Sequence, residues 1–234
     1  MFALTALEAE ALGLSLRVAV ACVAVTLPFG LAAAWLLARR EFPGKALFDA
    51  LIHAPLVLPP VAVGYLLLVL FGRNGPVGGW LYDIFGLTLI FTWEGAALAS
   101  AVMAFPLMVR SIRLALELVD RRIETAARTL GASRLKVALT ITLPLALPGI
   151  LTGMVLAFAR SLGEFGATIT FAANIPGETR TLPIALYTLV QAPGGEAGAM
   201  RLMIISLILA IAALVLSELI SRRLAARFGN GGAG

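Results

Sequence analysis

The sequence is poor in charge and nearly without cysteine and histidine. Of its 234 residues 13% are charged and 60% hydrophobic, and the mean hydropathy is +0.98. A soluble domain carries about 25% charged residues, so an ordinary soluble globular protein is excluded. The single cysteine, Cys22, rules out an intrachain disulfide and sits in an apolar run, as a small packing residue does. The single histidine, His53, has no company of ligand residues, so no metal site is expected. The same scarcity leaves poor material for a nucleophile–base pair, which disfavours a membrane-embedded enzyme. A phosphate loop of the form G-x-x-x-x-G-K-[ST] is also missing, since Gly44-Lys45 is followed by Ala46. The chain cannot cradle nucleotide by that route, and no cofactor is expected.

What is present is apolar length. A bilayer core needs about 20 mostly apolar residues per helix, and five runs meet that need. They cover about 12–37, 46–71, 91–116, 145–171 and 202–221, the second interrupted by Pro55, Pro59 and Pro60. Those prolines either shape a gate or are kinks that a membrane helix tolerates. An amphipathic piece around Trp80 to Leu89 precedes the third run. Leu182 to Gln191 is too short to cross and reads as an interfacial or re-entrant helix. The expected fold is all-α, a polytopic integral membrane protein with five transmembrane helices.

The formal charge of +5 and a pI near 10.1 do not point to nucleic acid, because the basic residues lie beside apolar runs. They read as topology signals instead. Arg39, Arg40 and Lys45 follow the first run; Arg113, Arg121, Arg122, Arg128, Arg134 and Lys136 close or follow the third; Arg222, Arg223 and Arg227 follow the fifth. The opposite side has little beyond Arg73, Arg180 and Arg201. Residues 1–11 are therefore expected outside, and 222–234 in the cytoplasm as a short glycine-rich tail. The start, MFALTALEAE, has acids and no basic residue, so neither a cleavable signal nor a preceding span is expected there.

Between the third and fourth runs lies RRIETAARTLGASRLKVALTITLPLALPGI, basic and rich in small residues. A helix through Arg121 to Leu130 puts Ile123, Ala126, Ala127 and Leu130 on one face. Gly131 suits the position past a helix end, and Ser133 can cap the next helical segment. Pro144 and Pro148 suit the opening of the following span. Periodicity alone leaves open a docking helix or an ordinary basic interfacial loop.

In the fourth run, ARSLGEFGATITF places Arg160 and Glu164 four residues apart, able to pair on one helix face, with Ser161 and Thr168 extending a polar stripe. Ionisable residues inside a span point to function. The stripe either lines a hydrated path, where Arg160 attracts an oxyanion, or is a self-neutralised pair buried against neighbours. Gly163 and Gly166 permit close packing or a bend.

Glu124-Thr-Ala126-Ala127, then Gly131, then Leu143-Pro144, resembles the EAA motif of type I ABC-transporter permeases. In that family a glutamate directly precedes the two alanines; here that position is Thr125, with Glu124 one residue earlier. SLGEFGATITF and the segment after it resemble the molybdate, tungstate and sulfate/thiosulfate permeases, most specifically molybdate permeases. The resemblance implies a type I importer permease fold and a coupling segment at 121–143, with Glu124, Ala126, Ala127, Arg128, Gly131, Leu143 and Pro144 docking on an ATPase. It further implies a homodimer in a bacterial inner membrane, two copies of a cytoplasmic ABC ATPase, a periplasmic molybdate-binding protein and an oxyanion substrate. A secondary transporter needing no ATPase is the other reading; it would leave the basic segment unexplained.

Overall fold

The computed structural model describes residues 4–229, and every regular element among them is helical. In chain order these are α1 (Ala6–Arg39), α2 (Lys45–Val57), α3 (Pro60–Phe71), α4 (Pro76–Phe85) and α5 (Trp93–Leu118), then α6 (Arg121–Thr129) and α7 (Arg134–Val137). A π-helical turn at Ala138–Thr142 leads into α8 (Leu143–Leu162), followed by α9 (Gly166–Phe171), α10 (Leu182–Gln191) and α11 (Glu196–Gly229). Four helices, α1, α5, the continuous run Arg134–Leu162 and α11, are each long and apolar enough to cross a membrane.

The second run is not one helix. Leu58 and Pro59 each precede a proline and are pushed to extended backbone (ψ 143° and 132°). The helix therefore stops at Val57 and restarts with Pro60, and the two halves meet at 115°. Pro55 stays inside α2. The fourth run is broken as well: α8 ends at Leu162 and α9 begins at Gly166. The two breaks lie against each other. A Cβ on Gly166 would come within 2.7 Å of the Pro60 Cβ, and one on Gly64 within 2.6 Å of the Ala167 carbonyl oxygen. Glycine at both places lets α3 and α9 touch backbone to backbone.

α1, α5 and α8 form the centre, around Leu37, Met108, Ile112, Leu116, Ala104 and Ala157. Small residues set the spacing, as expected where lipid removes any hydrophobic drive for association. Ser111 donates to the Gly149 carbonyl across the α5–α8 contact (2.8 Å). Outside this centre, the start of α1 is tied down by a capping box. The Glu8 amide donates to Thr5 Oγ1 (3.3 Å) and the Thr5 amide to Glu8 Oε2 (2.9 Å). Arg201 Nη2 then donates to the other carboxylate oxygen of Glu8 (2.8 Å), fixing α11 to α1. Arg17, inside the first span, stacks on Trp93 at 3.7 Å.

Helical boundaries agree closely with the apolar runs for the third span and for Leu182–Gln191. α1 and α11 extend beyond theirs. α11 continues to Gly229 through the start of the segment read as a tail, because nothing between Gly198 and Gly229 breaks a helix. Residues 1–3 and 230–234 lie outside the described residues.

Candidate functional site

The segment 121–143 folds as its sequence suggests. Asp120 caps α6, accepting from the Arg122 amide (2.8 Å). The helix ends in a Schellman motif: Gly131 sits at φ +88°, its amide donates to the Arg128 carbonyl (3.0 Å), and the Ala132 amide donates to the Ala127 carbonyl (3.1 Å). Ser133 then caps α7, accepting from the Lys136 amide (3.2 Å). The π turn follows directly. Pro144 has no amide to give the Thr140 carbonyl, and its ring would crowd that group in a regular α-helix. Leu143 and Pro144 are half-buried at the start of α8.

α6 buries no residue. Ile123 and Ala126 are exposed, Ala127 is half-buried, and Leu130 is 89% exposed. Leu135 and Leu139 are exposed as well. Arg128 is exposed beside them. Glu124 points the other way. Its Oε1 accepts from Arg39 Nη2 (2.8 Å) and from Thr142 Oγ1 (2.7 Å), joining α6 to the end of α1 and to the π turn. Sequence reading placed Arg39 only as a topology signal and did not single out Thr142; both contacts are between positions far apart in sequence. In the neighbouring loop, the hydrogen bond from Lys45 to Glu41 (2.7 Å) draws that exposed carboxyl below its ordinary range.

At the second location, Arg160 and Glu164 meet, but not along one helix. Arg160 lies in the last turn of α8, while Glu164 lies in the break. Arg160 Nη1 is 2.6 Å from Glu164 Oε2, a charge contact not aligned as a hydrogen bond. The other oxygen of Glu164 accepts from the Ala167 amide (2.9 Å), which starts α9. The carboxylate thus holds both sides of the break. Its side chain is 1% exposed, against 27% for Arg160. Ser161 and Thr168 are buried in the chain's own interior, so Arg160 is the member of the stripe that reaches the surface. Gly163 and Gly166 flank the break, Gly166 against Pro60. The expectation that the pair shares one helix face is corrected here. With no side chain at Gly163 or Gly166 to favour helix, the Glu164 carboxylate replaces the backbone carbonyls that would continue it.

A third cluster escaped the sequence reading. Asp49 and His53 of α2 face Arg113 and Glu117 of α5. Arg113 Nη1 donates to Asp49 Oδ2 (3.0 Å) and Nε to Glu117 (2.8 Å), while His53 Nδ1 lies 3.2 Å from Asp49 Oδ1. The i, i+4 spacings 49–53 and 113–117 were the available signal.

Comparison with known proteins fits this geometry. Residues 26–228 match the family described as "Binding-protein-dependent transport system inner membrane component". The chain is 65% identical over 219 residues to the molybdenum transport system permease protein ModB of Escherichia coli (strain K12), covering 94% of this chain and 96% of that protein. The protein of the same name from Haemophilus influenzae (strain ATCC 51907 / DSM 11121 / KW20 / Rd) is 56% identical to this chain over 225 residues, 96% of this chain and 98% of that one. The sulfate transport system permease protein CysT of Escherichia coli (strain K12) is 38% identical over 198 residues, 83% of this chain and 71% of the relative. Among solved structures, a bacterial alginate ABC transporter in complex with an alginate pentasaccharide-bound periplasmic protein superposes with a TM-score of 0.74 at 18% identity, over 94% of this chain and 80% of that one. The fold is that of type I ABC importer permeases, and the chain belongs to the family of binding-protein-dependent transport system inner membrane components.

Proposed function

We propose that this chain is the permease subunit of an ATP-driven molybdate importer. The observation that carries this reading is 65% identity across nearly the whole length to a molybdenum permease, against 38% to a sulfate permease. Two copies form the path, each engaging a separate cytoplasmic ATPase, and a periplasmic binding protein delivers the oxyanion. The apolar surface of Ile123, Leu130 and Leu135, with Ala126, Ala127 and Arg128 beside it, supports a docking role for 121–143 on the ATPase. Glu124 serves that role from behind, as a positioning residue held by Arg39 and Thr142.

The mechanism is alternating access. ATP binding draws the ATPases together, the docked segments move with them, and the dimer opens outward; hydrolysis restores the inward state. A ligand shifts such an equilibrium only by its difference in affinity for the two states. The adjoining breaks at Pro59-Pro60 and Gly163–Gly166 support a place for the path, since irregular backbone at membrane depth is tolerated where it is buried or lines a cavity. Arg160 would meet the oxyanion there, with Glu164 holding the break.

The test is labelled molybdate uptake in cells with the gene deleted and then restored, with excess sulfate as competitor. Restored uptake that sulfate barely inhibits is expected. Loss of sulfate uptake with molybdate uptake intact would keep the importer class and overturn the substrate.

A further inference from the structure

A cavity of about 300 Å³ lies between the end of α1, α6 and the α7–π junction. Arg39, Arg40, Arg128 and Arg134 line it, together with Trp35 and Glu124. Arg121 also borders it, with its guanidinium donating to the Ala38 carbonyl (3.2 Å). Five arginines thus border the cavity alongside one acid, Glu124, whose carboxylate is committed to Arg39 and Thr142. Among the described residues no acid pairs with Arg40, Arg128 or Arg134. The side chain of Arg39 is 91% buried, and its Nε has no hydrogen-bond partner. A buried guanidinium N–H left unmet is costly unless something outside the chain accepts it.

We propose that this cavity binds a phosphate group. A tetrahedral oxyanion offers several acceptors to guanidinium forks and balances a local excess of positive charge. Trp35, one turn before Arg39 on α1, puts the cavity at the level where tryptophan rings mark the membrane interface. Basic pockets at that level on the cytoplasmic side suit lipid phosphates. This inference rests on the cytoplasmic placement of residues 121–143 but not on the identity of the transported oxyanion. Occupied, the cavity would couple the seating of α6 to the phosphate it holds, because Arg39 contacts both Glu124 and the cavity.

The experiment is native mass spectrometry of the permease co-purified with its ATPase, titrated with phosphatidylglycerol, phosphatidylcholine or inorganic phosphate. The variants are Arg40→Gln, Arg134→Gln and the double change; both side chains are exposed, so folding is expected to survive. Phosphatidylglycerol should bind in preference to phosphatidylcholine, with affinity falling roughly fivefold per arginine removed. Saturable inorganic phosphate binding with the same sensitivity would support the site with a free oxyanion as its source. Binding of both phosphate probes unchanged in the double variant, or absent from the parent, would overturn the proposal. Uptake measured in the same strains separates this result from the substrate assignment, which could fail without affecting it.

Discussion

Gly131 is constrained by its backbone conformation. A Cβ there would meet nothing within 4 Å, so the demand for glycine comes from φ +88° rather than from space. Placing a β-branched side chain in the left-handed region costs about 1–2 kcal/mol or more, whereas asparagine tolerates it better. Gly131→Val should therefore open the Schellman turn and misdirect Ser133 and α7, with Gly131→Asn closer to the parent. The expected outcome is at least a fivefold fall in uptake for the valine variant, through lost ATPase co-purification or hydrolysis no longer coupled to uptake. Normal coupled uptake by an assembled Gly131→Val transporter would show that the turn is not what holds the docking surface. Glu124 is a contrasting case. Its motif position suggested an outward role, but its carboxylate is occupied on the inner side, and its partners lie 85 and 18 residues away.

Among the helices, α5 and α8 approach each other closely. A Cβ on Gly149 would fall 2.2 Å from the Ala115 Cβ, far inside contact distance, while Ser111 already bonds the Gly149 carbonyl. Gly149→Ala should force the two helices apart and destabilise the protein by about 1–3 kcal/mol. Ala115→Gly removes the opposing methyl, so the double variant Gly149→Ala/Ala115→Gly should recover most of the lost thermal stability in detergent. No recovery would mean the strain lies elsewhere in the crossing. This pairing was invisible in the sequence, because nothing local tells Gly149 apart from Gly153 or Gly163. Caps and turns were legible for the opposite reason. Gly131 and Ser133 act on backbone groups within five residues of themselves, so their chemistry could be read directly; the equally local cap at Asp120 was missed. The proline break in the second run was half legible: Pro59-Pro60 announced an interruption, but the 115° angle depends on α3 docking against α9. For the break at Gly163–Phe165 the sequence left two readings open, close packing or a bend at Gly163 and Gly166. The apolar run continues through it, and only the Glu164 bond to the Ala167 amide reveals it.

For the whole molecule, the bent pair α2–α3 decides the topology. Taken as one broken span, it makes five crossings; taken as a re-entrant loop, it leaves four. Charge distinguishes these. Arg39 and Arg40 precede the pair and Lys45 opens it, while Arg121, Arg122, Arg128, Arg134 and Lys136 follow α5. If α2–α3 crosses, both basic groups fall on the same side, as positive-inside bias requires. If it turns back, one group is left outside, with no surplus of basic residues opposite to offset it. The contact between Arg39 and Glu124 agrees, since it puts the end of α1 beside α6. Asn74 and Thr125 are exposed, and native Cys22 is buried and should stay silent to reagent. In intact spheroplasts a membrane-impermeant maleimide should label Asn74→Cys at once and Thr125→Cys only after permeabilisation. Labelling of Thr125→Cys in intact spheroplasts, with Asn74→Cys protected, would make the pair re-entrant. It would also place residues 121–143 outside the cytoplasm, and remove the basis for the proposed docking on an ATPase.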